Sequence, residues 1–121
     1  MAVNTPVTFD ANGVMTSGLT HALGTSTIVL AAAGDYEVTF SVSGVEPNQM
    51  ALFVNGVPIA GAVYGSGAGT QPNVGQAIFT ADAGSDLTLV NYSSAAAVTL
   101  QTFDGGTQTN VNASLLIEKL N

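Results

Sequence analysis

The chain has 121 residues and a mass of 12.1 kDa, enough for one domain with a modest core and too little for two. Charged residues make up 7% of it, against about 25% in an ordinary soluble domain, and a single basic side chain, Lys119, stands against eight carboxylates. Phosphate is met by Lys and Arg, so this balance excludes nucleic acid and anionic membrane surfaces as partners, and the absence of cysteine excludes disulfides, thiolate catalysis and zinc-thiolate sites.

No apolar run approaches the roughly 18 residues that a spanning helix needs, so no membrane insertion is expected. The opening "MAVNTPVTFD" has neither a basic region nor a hydrophobic segment, and no signal peptide is expected there. Period-two alternation dominates the rest and points to an all-β chain. Pro6 to Phe9 and Thr25 to Leu30 read as short strands around a polar, glycine-bearing stretch. From Asp35 to Ser43, Tyr36, Val38, Phe40 and Val42 point one way and Glu37, Thr39, Ser41 and Ser43 the other, which predicts a strand with one wet face. Gln49 to Asn55 differs. Met50, Leu52 and Val54 line one face, and Ala51 and Phe53 make the opposite face dry as well. Asn55-Gly56 then supplies the two positive-φ residues of a type I′ hairpin turn, with a return strand over Val57 to Tyr64.

Further strands are expected at Gly75 to Ala81, Asp86 to Tyr92, Ala97 to Phe103 and Val111 to Leu120. Nine or ten strands at this spacing, punctuated by Gly, Asp, Asn and Ser, predict a jelly-roll β-sandwich in a single domain over 1–121. In the last strand Leu115 and Ile117 face one way and Leu116 and Leu120 the other. With Ala51 and Phe53 this makes more dry faces than one small sandwich can cover, and the surplus is expected between subunits. Met50, Leu52, Phe53, Leu115, Leu116 and Ile117 are therefore the candidates for core and subunit interface, with the division between the two left open.

"YGSGAGTQPNVGQ", Tyr64 to Gln76, could be taken for a phosphate-binding loop. Gly65, Gly67 and Gly69 recur at intervals of two, not at the dinucleotide-binding spacing. No Lys or Arg is near, and Pro72 stands where a helix should begin. The stretch reads as a turn or loop between strands.

The run from "NGVPIAGAVYGSGAGTQPNVGQ" through "SSAAAVTLQT" to "NVNASLLIEKL" resembles the C-terminal globular domain of the collagen-like glycoproteins of the spore exosporium. The likeness is best from Val42 to Leu120; the first forty residues share only the strand pattern. It implies a jelly roll of the tumour-necrosis-factor and complement-head kind and a homotrimer. It further implies a structural role at the extracellular spore surface, heading a collagen-like stalk. The chain itself has no Gly-X-Y repeat. The alternative reading is a receptor- or glycan-binding head on the same trimer, for which Tyr36, Tyr64 and Tyr92 offer aromatic faces.

Enzymatic chemistry finds little support. His21 is the only histidine, and no Gly-x-Ser-x-Gly turn presents a nucleophile to it. Calcium, bound by some members of the wider superfamily, would need six to eight oxygens, and neither "DANG" nor "DAGSD" carries the spaced ligands of a calcium loop. Asp82 to Asp86 reads as a turn with Gly84 at positive φ. No catalytic residue, metal or cofactor is expected.

Overall fold

The alternation from Gly34 to Val42 forms the central strand of a three-stranded sheet. A computed structural model describes residues 1–121, and the chain is all-β. Its eight strands are β1 Leu19–Thr20, β2 Ile28–Leu30, β3 Gly34–Val42, β4 Asn48–Val54, β5 Val57–Ser66, β6 Asn73–Ala81, β7 Ser85–Asn91 and β8 Ala113–Lys119. They make two antiparallel sheets, of order β1-β2-β7-β4-β5 and β6-β3-β8, which face each other as a β-sandwich. No helix is long and apolar enough to cross a membrane.

The core is what the period-two pattern demands. Tyr36, Val38, Phe40 and Val42 of β3 are each at most 1% exposed, and they meet Met50 and Leu52 of β4 and Leu87 and Leu89 of β7 from the other sheet. Burying a side chain of this size is worth about 1.5–3 kcal/mol, which makes this layer the main source of stability.

The Asn55-Gly56 hairpin forms as its sequence requires, with φ of 52° and 79° and Val54 paired to Val57. The Asn55 side chain also ties the turn to β7: its Oδ1 accepts from the Asp86 N–H at 2.9 Å and its Nδ2 donates to Ser85 Oγ at 3.3 Å. Gly84, at φ 79°, makes the turn expected before β7.

Two expected strands are reduced to bridges. Pro6 to Phe9 contributes only the isolated pairs Pro6–Val90 and Phe9–Thr25, and Ala97 to Phe103 only Gly44–Leu100. The second segment runs beside the bent β3–β4 connection, whose backbone cannot offer a ladder. Its contacts are single bonds, such as the Val45 N–H to Thr99 O and the Gln101 N–H to Ser43 O, each 2.8 Å. Conversely, Leu19–Thr20 pairs with β2 inside the stretch expected to be irregular.

Gly65 is a correction of another kind. It lies within β5, paired with Gln49, because the return strand runs on to Ser66. Gly67 and Gly69 do belong to the connection that follows. A Cβ on Gly69 would overlap the Val45 carbonyl oxygen, so this glycine permits a close backbone approach and builds no anion site.

Candidate assembly interface

Each sheet turns one face outward, and the two outward faces differ in chemistry. On the five-stranded sheet, cross-strand pairing sets Val63, Ala51, Val90 and Pro6 in one row. Phe53 and Tyr92 stand on this face in edge-to-face contact, with ring centroids 5.3 Å apart and planes at 74°. Phe53 is paired with Thr88, two residues beyond Ala51 on its strand; the Tyr92 N–H bonds to Gln49 O, two residues before it. The two rings thus meet across the Ala51–Val90 row, which explains why Ala51 is 0% and Val90 7% exposed on a face no third layer covers. Beside them a hollow of about 320 Å³ is lined by Pro6, Phe53, Thr88, Val90, Tyr92 and neighbouring loop residues. Between Gln49 and Thr88 this surface carries no charged side chain, and Asp86 lies beyond it towards the Asn55 turn.

The three-stranded sheet faces outward with Asp35, Glu37, Thr39 and Ser41 of β3. Glu118 of β8 sits directly across from Glu37. Like charges opposed in this way repel, and the Asp35 carboxylate lies on the same face, accepting from Thr80 Oγ1 at 2.6 Å and Asn121 Nδ2 at 3.1 Å. Apolar Ile78 and Leu116 interrupt this acidic surface, 67% and 70% exposed.

The candidate residues therefore divide. Met50 and Leu52 point between the sheets at 0% exposure and belong to the core. Phe53 lies half-buried on the charge-free stretch of the five-stranded sheet's outer face. Leu115 and Ile117 turn inward and pack, half-buried, against the core cluster, whereas Leu116 points outward. The sequence pattern missed the partner of Phe53. Tyr92 stood at the end of an expected strand, but its contact depends on the β4–β7 register.

At the edge of the sandwich beside β8 the layers part. A cleft of about 1020 Å³ opens there, its apolar lining including Phe9, Met15, Leu19, Ile28, Leu115 and Ile117. His21 borders it. Its Nδ1 lies 2.6 Å from Asn12 Oδ1 and its Nε2 2.8 Å from the Thr25 carbonyl oxygen, with Phe9 edge-on to the ring. Both ring nitrogens are thus engaged by loop oxygens and neither meets a serine, an arrangement that clasps the loop. No three His, Cys, Asp or Glu side chains converge as a metal site would require.

The family model of the BclA C-terminal domain matches residues 1–121, taking in the first forty residues as well. No curated protein matches the chain.

Proposed function

Because the chain belongs to the BclA C-terminal domain family, the C-terminal domain of exosporium collagen-like glycoproteins, we propose that it acts as the trimerisation head of a collagen-like filament. The family is one of structural surface-protein domains associated with the exosporium, not one of enzymes. The finer reading, a homotrimeric jelly roll of the tumour-necrosis-factor and complement-head kind, fits a role that is mechanical: three heads in fixed register would hold three stalk strands together.

One observation carries the reading. Between Gln49 and Thr88 the outer face of the five-stranded sheet is uncharged and aromatic, on a chain of net charge −7. Copies of so acidic a chain can meet closely only where carboxylates are absent, because like charges brought together out of water cost several kcal/mol. The Phe53–Tyr92 face meets that condition and the Glu37–Glu118 face does not. Covering Phe53 and Val63 would contribute about 1.5–3 kcal/mol for each side chain fully buried, against the entropy of association.

Light scattering coupled to size exclusion tests this directly. The expected mass is three times the 12.1 kDa chain, and Phe53→Asp should reduce it to one chain with the β-sheet circular dichroism retained. A wild-type chain that runs as a monomer at micromolar concentration would overturn the proposal.

A further inference from the structure

The chain carries the same tripeptide twice, Asn12-Gly13-Val14 and Asn55-Gly56-Val57. Asn-Gly is a chemically reactive pair. Glycine has no side chain to shield its nitrogen, so that nitrogen can attack the asparagine carboxamide carbon, Cγ. A Cγ–N bond forms, the Cγ–Nδ2 bond breaks, and the glycine N–H proton departs with Nδ2 as ammonia. Water then opens the five-membered imide at either carbonyl, leaving aspartate or isoaspartate, in which the backbone is longer by one methylene. The sequence of steps consumes one water, releases one ammonia and needs no other reactant.

The two sites are matched in everything but the backbone. Both asparagines are exposed, and a Cβ built on Gly13 or on Gly56 would meet nothing within 4 Å, so water reaches both. Both carboxamides are bonded at each end. Asn55 meets the Asp86 N–H and Ser85 Oγ. Asn12 meets His21, whose Nδ1 lies 2.6 Å from Oδ1 and whose carbonyl oxygen accepts from Nδ2 at 3.0 Å.

At Asn55 the backbone is fixed as well. Its N–H donates to Asp86 O at 2.8 Å, Val54 pairs with Val57, and both turn residues are held at positive φ. Bringing the Gly56 nitrogen onto Cγ rotates this peptide out of the turn and breaks the end of the hairpin. Nothing comparable surrounds Asn12. No strand covers residues 10 to 18, and no backbone hydrogen bond involves residues 10 to 15. The two bonds to His21 are what hold its carboxamide.

We propose that Asn12 is a site of spontaneous deamidation held back by His21, and that the hairpin shields the twin site at Asn55. The same histidine registers the product. An oxygen replaces the Nδ2 that donated to the His21 carbonyl, two acceptors then face each other, and that half of the clasp opens. Asn12 and His21 both line the cleft, so the change loosens the loop that borders it. Deamidation at Asn12 does not require a trimer.

Incubation at mildly alkaline pH, followed by peptide mapping with mass spectrometry, reads aspartate and isoaspartate at both positions in one sample. In the folded chain, position 12 should convert about ten-fold faster than position 55 or more, since only the second must open a hairpin. In urea the two rates should agree within about two-fold, because Gly-Val follows each asparagine and no fold remains to separate them. His21→Ala should speed Asn12 by a further factor of about three, the effect of losing a modest hydrogen bond. Asn55 should keep its rate in that variant, which reports that the hairpin is still folded, and the wild-type ratio stands whether or not the variant folds. Equal rates in the folded wild type, a faster Asn55, or an Asn12 rate that His21→Ala fails to raise would each overturn the proposal.

Discussion

The two edges of the sandwich are built in opposite ways. Where β5 meets β6, Tyr64 reaches across to donate its hydroxyl to Gln76 O at 2.9 Å. Its ring packs edge-to-face on Phe40, centroids 5.8 Å apart, and Asn73 Nδ2 donates to both Asn48 Oδ1 and Tyr64 O at 2.8 Å. Where β8 faces β1 and β2, an open cleft takes the place of such ties. The chain exposes 6478 Å², against about 6000 Å² expected for a folded monomer of this mass, and the open edge contributes to the excess. The lesson is one of division: the closed edge holds the protomer together, and the open edge leaves apolar side chains bordering a cleft.

The hardest blow to the closed edge is Phe40→Ala. It removes a ring 1% exposed that packs against Gly75 of β6 and the Tyr64 ring, and should cost about 3–5 kcal/mol in urea unfolding. A loss no greater than that of a surface substitution would show that the closed edge does not carry the fold. Gly75→Ala comes next. Its Cβ would run into the Phe40 and Tyr64 rings, which are pinned by each other and cannot turn away, and overpacking of this kind costs about 1–3 kcal/mol.

At the open edge the same measurement should read differently. Leu115→Ala removes a half-buried side chain that borders the cleft, where neighbours can relax into the space, and should cost about 1 kcal/mol, near the centre of the range for point substitutions. A cost equal to that of Phe40→Ala would mean that the cleft is packed shut in solution, and the contrast between the edges would fail.

How far the sequence foretold this arrangement depends on whether the deciding interaction is local. β3 and the Asn55-Gly56 turn were legible because alternation and positive-φ residues act within a few positions. The face of β4 on which Phe53 lies was legible too, as parity. Parity does not say which face meets the second sheet: Leu52 and Phe53 are neighbours of similar hydrophobicity, and only the packing of the three-stranded sheet over one face of β4 sends Leu52 inward. Ala97 to Phe103 alternates like a strand, yet its neighbour is the bent 43–45 connection, a fact no local pattern contains. Gly69 looked like loop chemistry and Gly75 like the mere start of a strand, but the reasons for them are a carbonyl in another connection and a pair of rings on two other strands.

The smallest effect concerns the tether of that misread segment. Glu46 Oε1 accepts the Thr99 N–H at 2.6 Å and Oε2 the Thr99 hydroxyl at 3.2 Å, holding the 97–101 segment, whose Leu100 lines the open cleft, to the β3–β4 connection. The Thr99 backbone N–H, bonding to the charged form, is the main cause that lowers the Glu46 carboxyl below the ordinary glutamate value. A carboxyl whose folded value is depressed contributes stability that is fully present above its unfolded value and lost as pH falls through the folded one. Glu46→Gln should therefore melt slightly below the wild type at pH 7, and the gap should close as the pH is taken down through the acidic range. The group is exposed and the gap small, so melting temperatures must be compared in one buffer series at fixed ionic strength. A gap that stayed constant to the acid limit would assign the tether to the shape of the side chain, not to its charge. The 97–101 segment would then be held by Gln101 Nε2, which donates to Gly44 O and Gly69 O at 3.1 and 2.8 Å, on the closed side of the molecule.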